Sequence, residues 1–290
     1  MMNKNKKRKV RFIGKAMLTL GFFATILLTV SAGERRQMDT KTVEKLQKKG
    51  VPISSQLIEH DDGEIYLVKV EKSQFDTAIL FIHGSPGNWS GWKDYLANQR
   101  LFDRFLLLAY DRPGYGGTSI KVTPSLKKQS DCVVSIIKEY PEVKNWIVVG
   151  HSYGGSVMAY LLGHHSDLID KMVFLAPAVS PEHQQPKWYN KWAKRKLVKS
   201  FIGGKMKTSN IEMLGLHEEL ALNEPSIRNS KEVPVQYFIH GEKDMIVSFK
   251  SAAYWQSLGM DSVHYFLKRK MNHFVPWSDP ELVYKAILSK

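Results

Sequence analysis

Gly150-His151-Ser152-Tyr153-Gly154 follows the apolar run Trp146-Ile147-Val148-Val149 and precedes the helix-like run Ser156-Val157-Met158-Ala159-Tyr160-Leu161-Leu162. A G-x-S-x-G pentapeptide between a strand and a helix predicts a very sharp turn that pushes the serine hydroxyl into the open. The flanking glycines are small enough to let strand and helix approach each other. The helix starting beyond the serine also sets unpaired N–H groups, the positive end of its dipole, beside any developing negative charge. A lone copy of this pentapeptide is a weak signal. Its neighbours along the chain make it specific.

Upstream, Ala78-Ile79-Leu80-Phe81-Ile82 reads as a buried strand that ends in the tight loop His83-Gly84-Ser85-Pro86-Gly87. Phe105 to Tyr110 is another buried strand before Asp111, and Lys171 to Ala176 another. Downstream, Val233 to Ile239 is strand-like and is closed by His240-Gly241, with Asp244 shortly after. Val263-His264-Tyr265-Phe266-Leu267 leads through a basic turn to Asn272-His273-Phe274. Leu57 to Val70 reads as a hairpin turning at Asp61-Asp62-Gly63. Thr40 to Lys49, Ser125 to Tyr140, Ser248 to Leu258 and Pro280 to Leu288 look helical. Strands alternating with helices predict an α/β fold, a mostly parallel sheet covered by helices on both faces. Ser152, Asp244 and His273 each lie just past a strand end, where such sheets open their ligand crevice. The three side chains are therefore expected to converge.

Five segments in order carry a resemblance. They are His83-Gly84-Ser85-Pro86-Gly87, Asp111-Arg112-Pro113-Gly114-Tyr115-Gly116-Gly117-Thr118-Ser119, Gly150 to Gly155, Gly241-Glu242-Lys243-Asp244 and Asn272-His273-Phe274. From about Leu57 onward the chain resembles the α/β-hydrolase fold family, in the serine hydrolase branch with H-G-x-P-G and G-H-S-x-G motifs. The resemblance implies Ser152 as nucleophile, His273 as general base and acid, and Asp244 as the residue orienting the imidazole. It implies an oxyanion hole built from the backbone N–H groups of Ser85 and Tyr153. Esterases, carbon–carbon bond hydrolases and lactonases share the pattern, so an ester or similarly activated acyl compound is the expected small-molecule substrate. Aminopeptidases of a neighbouring branch usually have glycine where this chain has Ser85. Epoxide hydrolases and haloalkane dehalogenases use an aspartate nucleophile, which serine at position 152 sets aside. The rival from another class is a non-catalytic binding protein on the same scaffold.

Each residue also has a plainer reading. His83, His151 and His240 read as packed or hydrogen-bonded turn histidines. Asp111, before Arg112-Pro113-Gly114, reads as a loop anchor. Asp261 and Asp279 compete with Asp244 but follow no predicted strand end, and His264 sits within a strand. Trp89 and Trp92 either touch substrate or pack. Cys132 reads as a small buried apolar residue, and a single cysteine excludes an intrachain disulfide. The scattered histidines suggest no metal site, and no cofactor is expected.

The chain has 290 residues and a formal net charge of +14. Residues 1–32 supply seven of those charges without an acid. There a basic segment precedes the uncharged run Ala16 to Ala32, as in a signal peptide or an uncleaved transmembrane anchor. The expected organisation is therefore an exported or membrane-anchored protein: residues 1–32 as leader, 33–56 as lead-in, and 57–290 as the catalytic domain outside the cytoplasm. A small helical cap is expected at about 181–232. Lysines between Lys187 and Lys207 interleave there with Trp188, Tyr189, Trp192, Leu197, Val198, Phe201 and Ile202, which reads as an amphipathic helix. Its basic face is either merely solvated or suited to a membrane surface or an anionic substrate. No nucleic-acid recognition motif accompanies the charge.

Overall fold

Burial along the strands explains their order in the sheet. Strand β1 (Ile53–His60) mixes buried and exposed side chains and pairs antiparallel with β2 (Gly63–Val70), as expected of a strand with one wet face. Strands β3 (Thr77–Ile82), β4 (Leu106–Tyr110), β5 (Asn145–His151) and β6 (Lys171–Leu175) are buried almost throughout. Strands β7 (Val235–Gly241) and β8 (Val263–Lys268) complete the sheet, with β8 as its partly exposed edge. The order is β1-β2-β4-β3-β5-β6-β7-β8. Strand β2 runs antiparallel to β4, and every pair from β4 to β8 is parallel. The computed structural model describes residues 32–188, 190, 203–230, 233–260 and 262–289.

Parallel neighbours need crossovers, and helices supply them. The longer ones are α1 (Ala32–Gln47), α2 (Leu126–Glu139), α3 (Tyr153–His164), α4 (Gly204–Arg228), α5 (Ser251–Ser257) and α6 (Pro280–Leu288). Successive strand residues point to opposite faces, so the sheet divides the core in two. Leu80, Leu108, Val148 and Phe174 pack with Val133 and Ile136 of α2 and Val157 and Leu161 of α3. Ile79, Phe81, Leu107, Val149 and Val173 pack with Val43 and Leu46 of α1, with Trp89, Trp92 and Tyr95, and with Val283 and Ile287 of α6. Both faces are covered, as the α/β expectation requires.

Most elements fall where the sequence places them, with shifted ends. The hairpin begins at Ile53, ahead of Leu57, and the lead-in contributes Val43, Leu46 and Val51 to the core. Trp89 and Trp92 are fully buried and pack. Cys132 is buried as well, and burial pushes its thiol up to about 12.

The expected helical cap contains one helix whose bounds the sequence reading did not place. Helix α4 runs 25 residues through the expected cap and contains Pro225. It lies against α3, where the Asn223 side chain donates to the Ala159 carbonyl at 2.9 Å. The apolar leader at 16–32 lies outside the described residues except for Ala32, and so does most of the amphipathic stretch at 187–202. Among the described residues no helix is long and apolar enough to cross a membrane.

Strand order reverses at β3, which has β4 on one side and β5 on the other. The carboxyl ends of strands at such a switch open onto a crevice. His83 follows β3 and Ser152 follows β5, so both sit at that opening.

Candidate active site

Ser152 joins β5 to α3 at φ 55°, ψ −116°. A non-glycine residue there costs on the order of 1–3 kcal/mol and persists only where its surroundings hold it. Here the Ser152 N–H donates to the Leu175 carbonyl at 3.0 Å, and its own carbonyl accepts from Gly155 and Ala178 at 3.0 and 3.1 Å. The flanking glycines are needed for space: a Cβ on Gly150 would strike the Met158 sulfur, and one on Gly154 the Ile82 carbonyl. Gly84 crosses the serine closely, its absent Cβ position lying 3.1 Å from Ser152 Cβ.

Two loops at the ends of β7 and β8 meet beside this turn. His273 Nδ1 lies 2.7 Å from Asp244 Oδ2, so it carries a proton and donates it to the carboxylate. In the neutral imidazole Nε2 is then the free base. Asp244 Oδ1 accepts the backbone N–H groups of Ile246 and Val247, each at 2.8 Å. His240 Nε2 lies 3.1 Å from Asp244 Oδ2 and 3.2 Å from the Val247 carbonyl. Both are acceptors, so His240 Nε2 carries hydrogen and donates. Burial pushes the Asp244 carboxyl upward, but the hydrogen bonds from His240 and His273 outweigh it and hold it well below the usual carboxylate range.

His151, the residue before Ser152, ties the turn to the histidine loop. Its Nε2 donates to the His273 carbonyl at 2.9 Å, and the two rings lie 4.7 Å apart. Burial, reinforced by the neighbouring His273, lowers His151 to about 3, so it is neutral and serves as a strut. His83 is likewise neutral: burial and then Arg112 drive it well below the usual imidazole range. Its Nδ1 donates to the Gly84 carbonyl at 2.7 Å while its Nε2 accepts the Arg112 backbone N–H at 3.1 Å.

The competing acids have other work. Asp111 accepts the backbone N–H of Trp89 at 2.9 Å and of Gly117 at 2.8 Å, the anchoring role expected of it. Burial, with Asp39 adding to it, pushes its carboxyl up to about 7. Asp279 caps α6 by accepting from Leu282 N–H at 3.2 Å. Asp261 lies outside the described residues. His264 stacks on Tyr237 with ring centres 4.8 Å apart.

Residues that the sequence reading did not single out fill the other side of the turn. Arg112 and Glu212 form an ion pair at 2.6 Å in which both side chains are fully buried. Arg112 Nε donates to the His83 carbonyl at 2.9 Å and Nη2 to the Gly84 carbonyl at 3.1 Å. Nη1 donates to Gln129 Oε1 at 3.1 Å and to Glu212 Oε1 at 2.6 Å, and Nη2 reaches Glu212 Oε2 at 3.3 Å. The Tyr115 hydroxyl donates to Glu212 Oε2 at 2.7 Å and lies 3.0 Å from Ser85 Oγ. Ser85 Oγ also donates to Ser209 Oγ at 2.9 Å. Glu212 and Ser209 both come from α4. Among the described residues no group of His, Cys, Asp and Glu could hold a metal ion.

The alpha/beta hydrolase fold family model matches residues 77–202. The bacterial membrane phospholipase A crystal structure superposes with a TM-score of 0.60 at 18% identity, covering 96% of this chain and 97% of that one. The chain carries the α/β-hydrolase fold. Among curated sequences, it is 25% identical over 217 residues to the Arabidopsis thaliana protein named Probable lysophospholipase BODYGUARD 4, covering 71% of this chain and 52% of that protein. It is 32% identical over 98 residues to the pimeloyl-[acyl-carrier protein] methyl ester esterase of Vibrio cholerae, covering 34% of this chain and 36% of that protein. The chain spans about a quarter to a half of the length of the curated relatives it matches. Placed on the α/β-hydrolase fold, Ser152 stands at the strand-to-helix turn, with the Asp244–His273 pair and the Ser85 loop on either side of it.

Proposed function

We propose that this α/β-hydrolase is a serine hydrolase that cleaves an ester or a similarly activated acyl substrate. The observation that carries the proposal is the His273–Asp244 hydrogen bond, which leaves His273 Nε2 as the free nitrogen on a loop that His151 ties to the strained turn at Ser152. In the scheme, His273 takes the Ser152 proton as Oγ attacks the acyl carbon, then returns it to the leaving group. Asp244 keeps the proton on Nδ1 and stabilises the imidazolium. The backbone N–H groups of Tyr153 and Ser85 receive the tetrahedral oxyanion, and losing one such donor typically costs about 3 kcal/mol. Water, activated by the same histidine, releases the acyl group. An ester is favoured over an amide or carbon–carbon bond because the relatives and the structural neighbour named above all carry names of ester-cleaving enzymes.

A fluorophosphonate probe tests the class of function. Labelling of the folded protein that disappears in Ser152→Ala is expected, whereas an unlabelled folded protein would favour the non-catalytic binding role. Hydrolysis of p-nitrophenyl esters of graded chain length then defines the acyl group. Carbon–carbon bond hydrolase, lactonase and aminopeptidase activity are the alternatives if those esters are ignored while labelling persists. We also infer that the basic and apolar leader places the catalytic domain outside the cytoplasm. Recovery of the full-length protein in the cytosolic fraction, with its N-terminus intact, would refute this.

A further inference from the structure

The Arg112 guanidinium has five N–H groups, and five acceptors surround it: the carbonyls of His83 and Gly84, Gln129 Oε1, and both oxygens of Glu212. The group is entirely buried. Two aromatic rings also pack against it, Tyr115 with the guanidinium carbon 5.1 Å from its centre and Tyr153 at 4.5 Å. This one side chain therefore holds the carbonyl of the peptide that carries the Ser85 N–H and packs on Tyr153, the two residues whose backbone N–H groups the serine-hydrolase scheme assigns to the oxyanion. It grips the loop carrying Ser85 by two carbonyls and lies over the ring of Tyr153.

Ser85 is held again through its own side chain, which donates to Ser209 Oγ and lies against the Tyr115 hydroxyl at 3.0 Å. Tyr115 is fixed in turn by Glu212, and Ser209 sits less than one helical turn before Glu212 on α4. A buried ion pair is a poor device for stability alone, because its desolvation offsets most of its attraction. It does hold geometry, since the planar guanidinium fixes directions as well as distances.

We propose that Glu212 and Ser209 of α4, acting through Arg112 and Tyr115, are positioning residues that set the orientation of the Ser85 N–H in the oxyanion hole. On this view the cap helix is a working part of the catalytic site. The inference rests on the serine-hydrolase reading above, and it predicts a defect specific to the tetrahedral state. Removing an oxyanion donor outright lowers kcat by about 10²–10³-fold, so misaligning one should cost about 10–100-fold.

The test compares wild type with Ser209→Ala, Tyr115→Phe and Glu212→Gln, using a p-nitrophenyl ester and an alkyl trifluoromethyl ketone. Ser152 Oγ adds to the ketone carbonyl carbon, and its proton passes to His273. The hemiketal oxygen then occupies the hole as an oxyanion. The two variants that each delete a single hydroxyl keep the comparison open if Glu212→Gln fails to fold. In the folded variants, kcat should fall with KM changed less than about threefold, and ketone affinity should fall in parallel. The hemiketal, followed by 19F NMR, should ionise at higher pH than in wild type. Unchanged kcat and ketone affinity in folded Ser209→Ala and Tyr115→Phe would overturn the inference, as would a rise in KM in place of a fall in kcat. A wild type that forms no adduct and turns over no ester would instead overturn the hydrolase reading, and this inference with it.

Discussion

Two buried carboxylates flank Ser152, and their partners differ in kind. Asp244 faces two imidazoles, His273 and His240. Glu212 faces a guanidinium and a phenol, Arg112 and Tyr115. An imidazole gains and loses protons near neutral pH, whereas a guanidinium never does so in a protein. Asp244 is thus suited to steadying a charge that comes and goes. Glu212 is suited to balancing one that is permanent. The serine-hydrolase scheme needs both: movable protons on one side of the nucleophile and an unmoving frame on the other.

The comparison can be broken most sharply at the serine. Ser152→Ala should lower kcat by about 10⁶-fold while leaving the fold intact, measured by ester turnover and circular dichroism. Ser152→Gly should be equally inactive yet melt higher, by about 1 kcal/mol or more of stability, because glycine relieves the positive φ. On the imidazole side, Asp244→Asn should cost about 10⁴-fold in kcat at neutral pH with little change in KM. On the guanidinium side the large effect is on stability. Arg112→Met leaves Glu212 charged and buried, and should cost about 3–5 kcal/mol in denaturant titration. Pairing it with Glu212→Leu should restore most of that stability without restoring kcat. If the double variant recovered full turnover, the claimed division between chemistry and frame would be wrong.

A further expected effect is on pH dependence. His151 is lowered to about 3 by burial and by His273, so between there and an ordinary imidazole pKa near 6.5 only the unfolded chain binds that proton. Stability should therefore be lost as pH falls below about 6.5, and His83 acts in the same direction. Asp111, raised to about 7, works the other way, gaining its proton in the folded state first. His151→Gln removes one acid-sensitive group. It should lose roughly 2 kcal/mol less than wild type on going from pH 7 to pH 4.5 in urea titrations. An identical loss in the two proteins would mean that His151 is protonated in the fold.

The two flanks also differed in how far the sequence revealed them. The strand runs, the glycine-bracketed serine and the positions of Asp244 and His273 follow from hydrophobic pattern and short motifs, because central strands are buried on both faces and need apolar side chains at every position. Helix α4 is different. Six of its seven buried residues, Ser209, Glu212, Leu216, Leu220, Asn223 and Ile227, recur at three- and four-residue intervals, the spacing of one helical face. Half of that face is polar, so no apolar stripe appears in the sequence. The polar positions are buried because they hydrogen-bond to groups elsewhere in the fold: Ser209 to Ser85, Glu212 to Arg112, Asn223 to Ala159. Only knowing that Arg112 is buried would have prompted a search for its acid. The order of motifs therefore pointed to Ser152, Asp244 and His273 and left the residues around Arg112 unseen.

Because α4 delivers an acid and a hydroxyl into the floor of the crevice, the insertion between β6 and β7 does not behave as an interchangeable cover. A chimera that swapped it for another enzyme's would strand the cation beneath Ser85 unless the graft brought a carboxylate to the same spot.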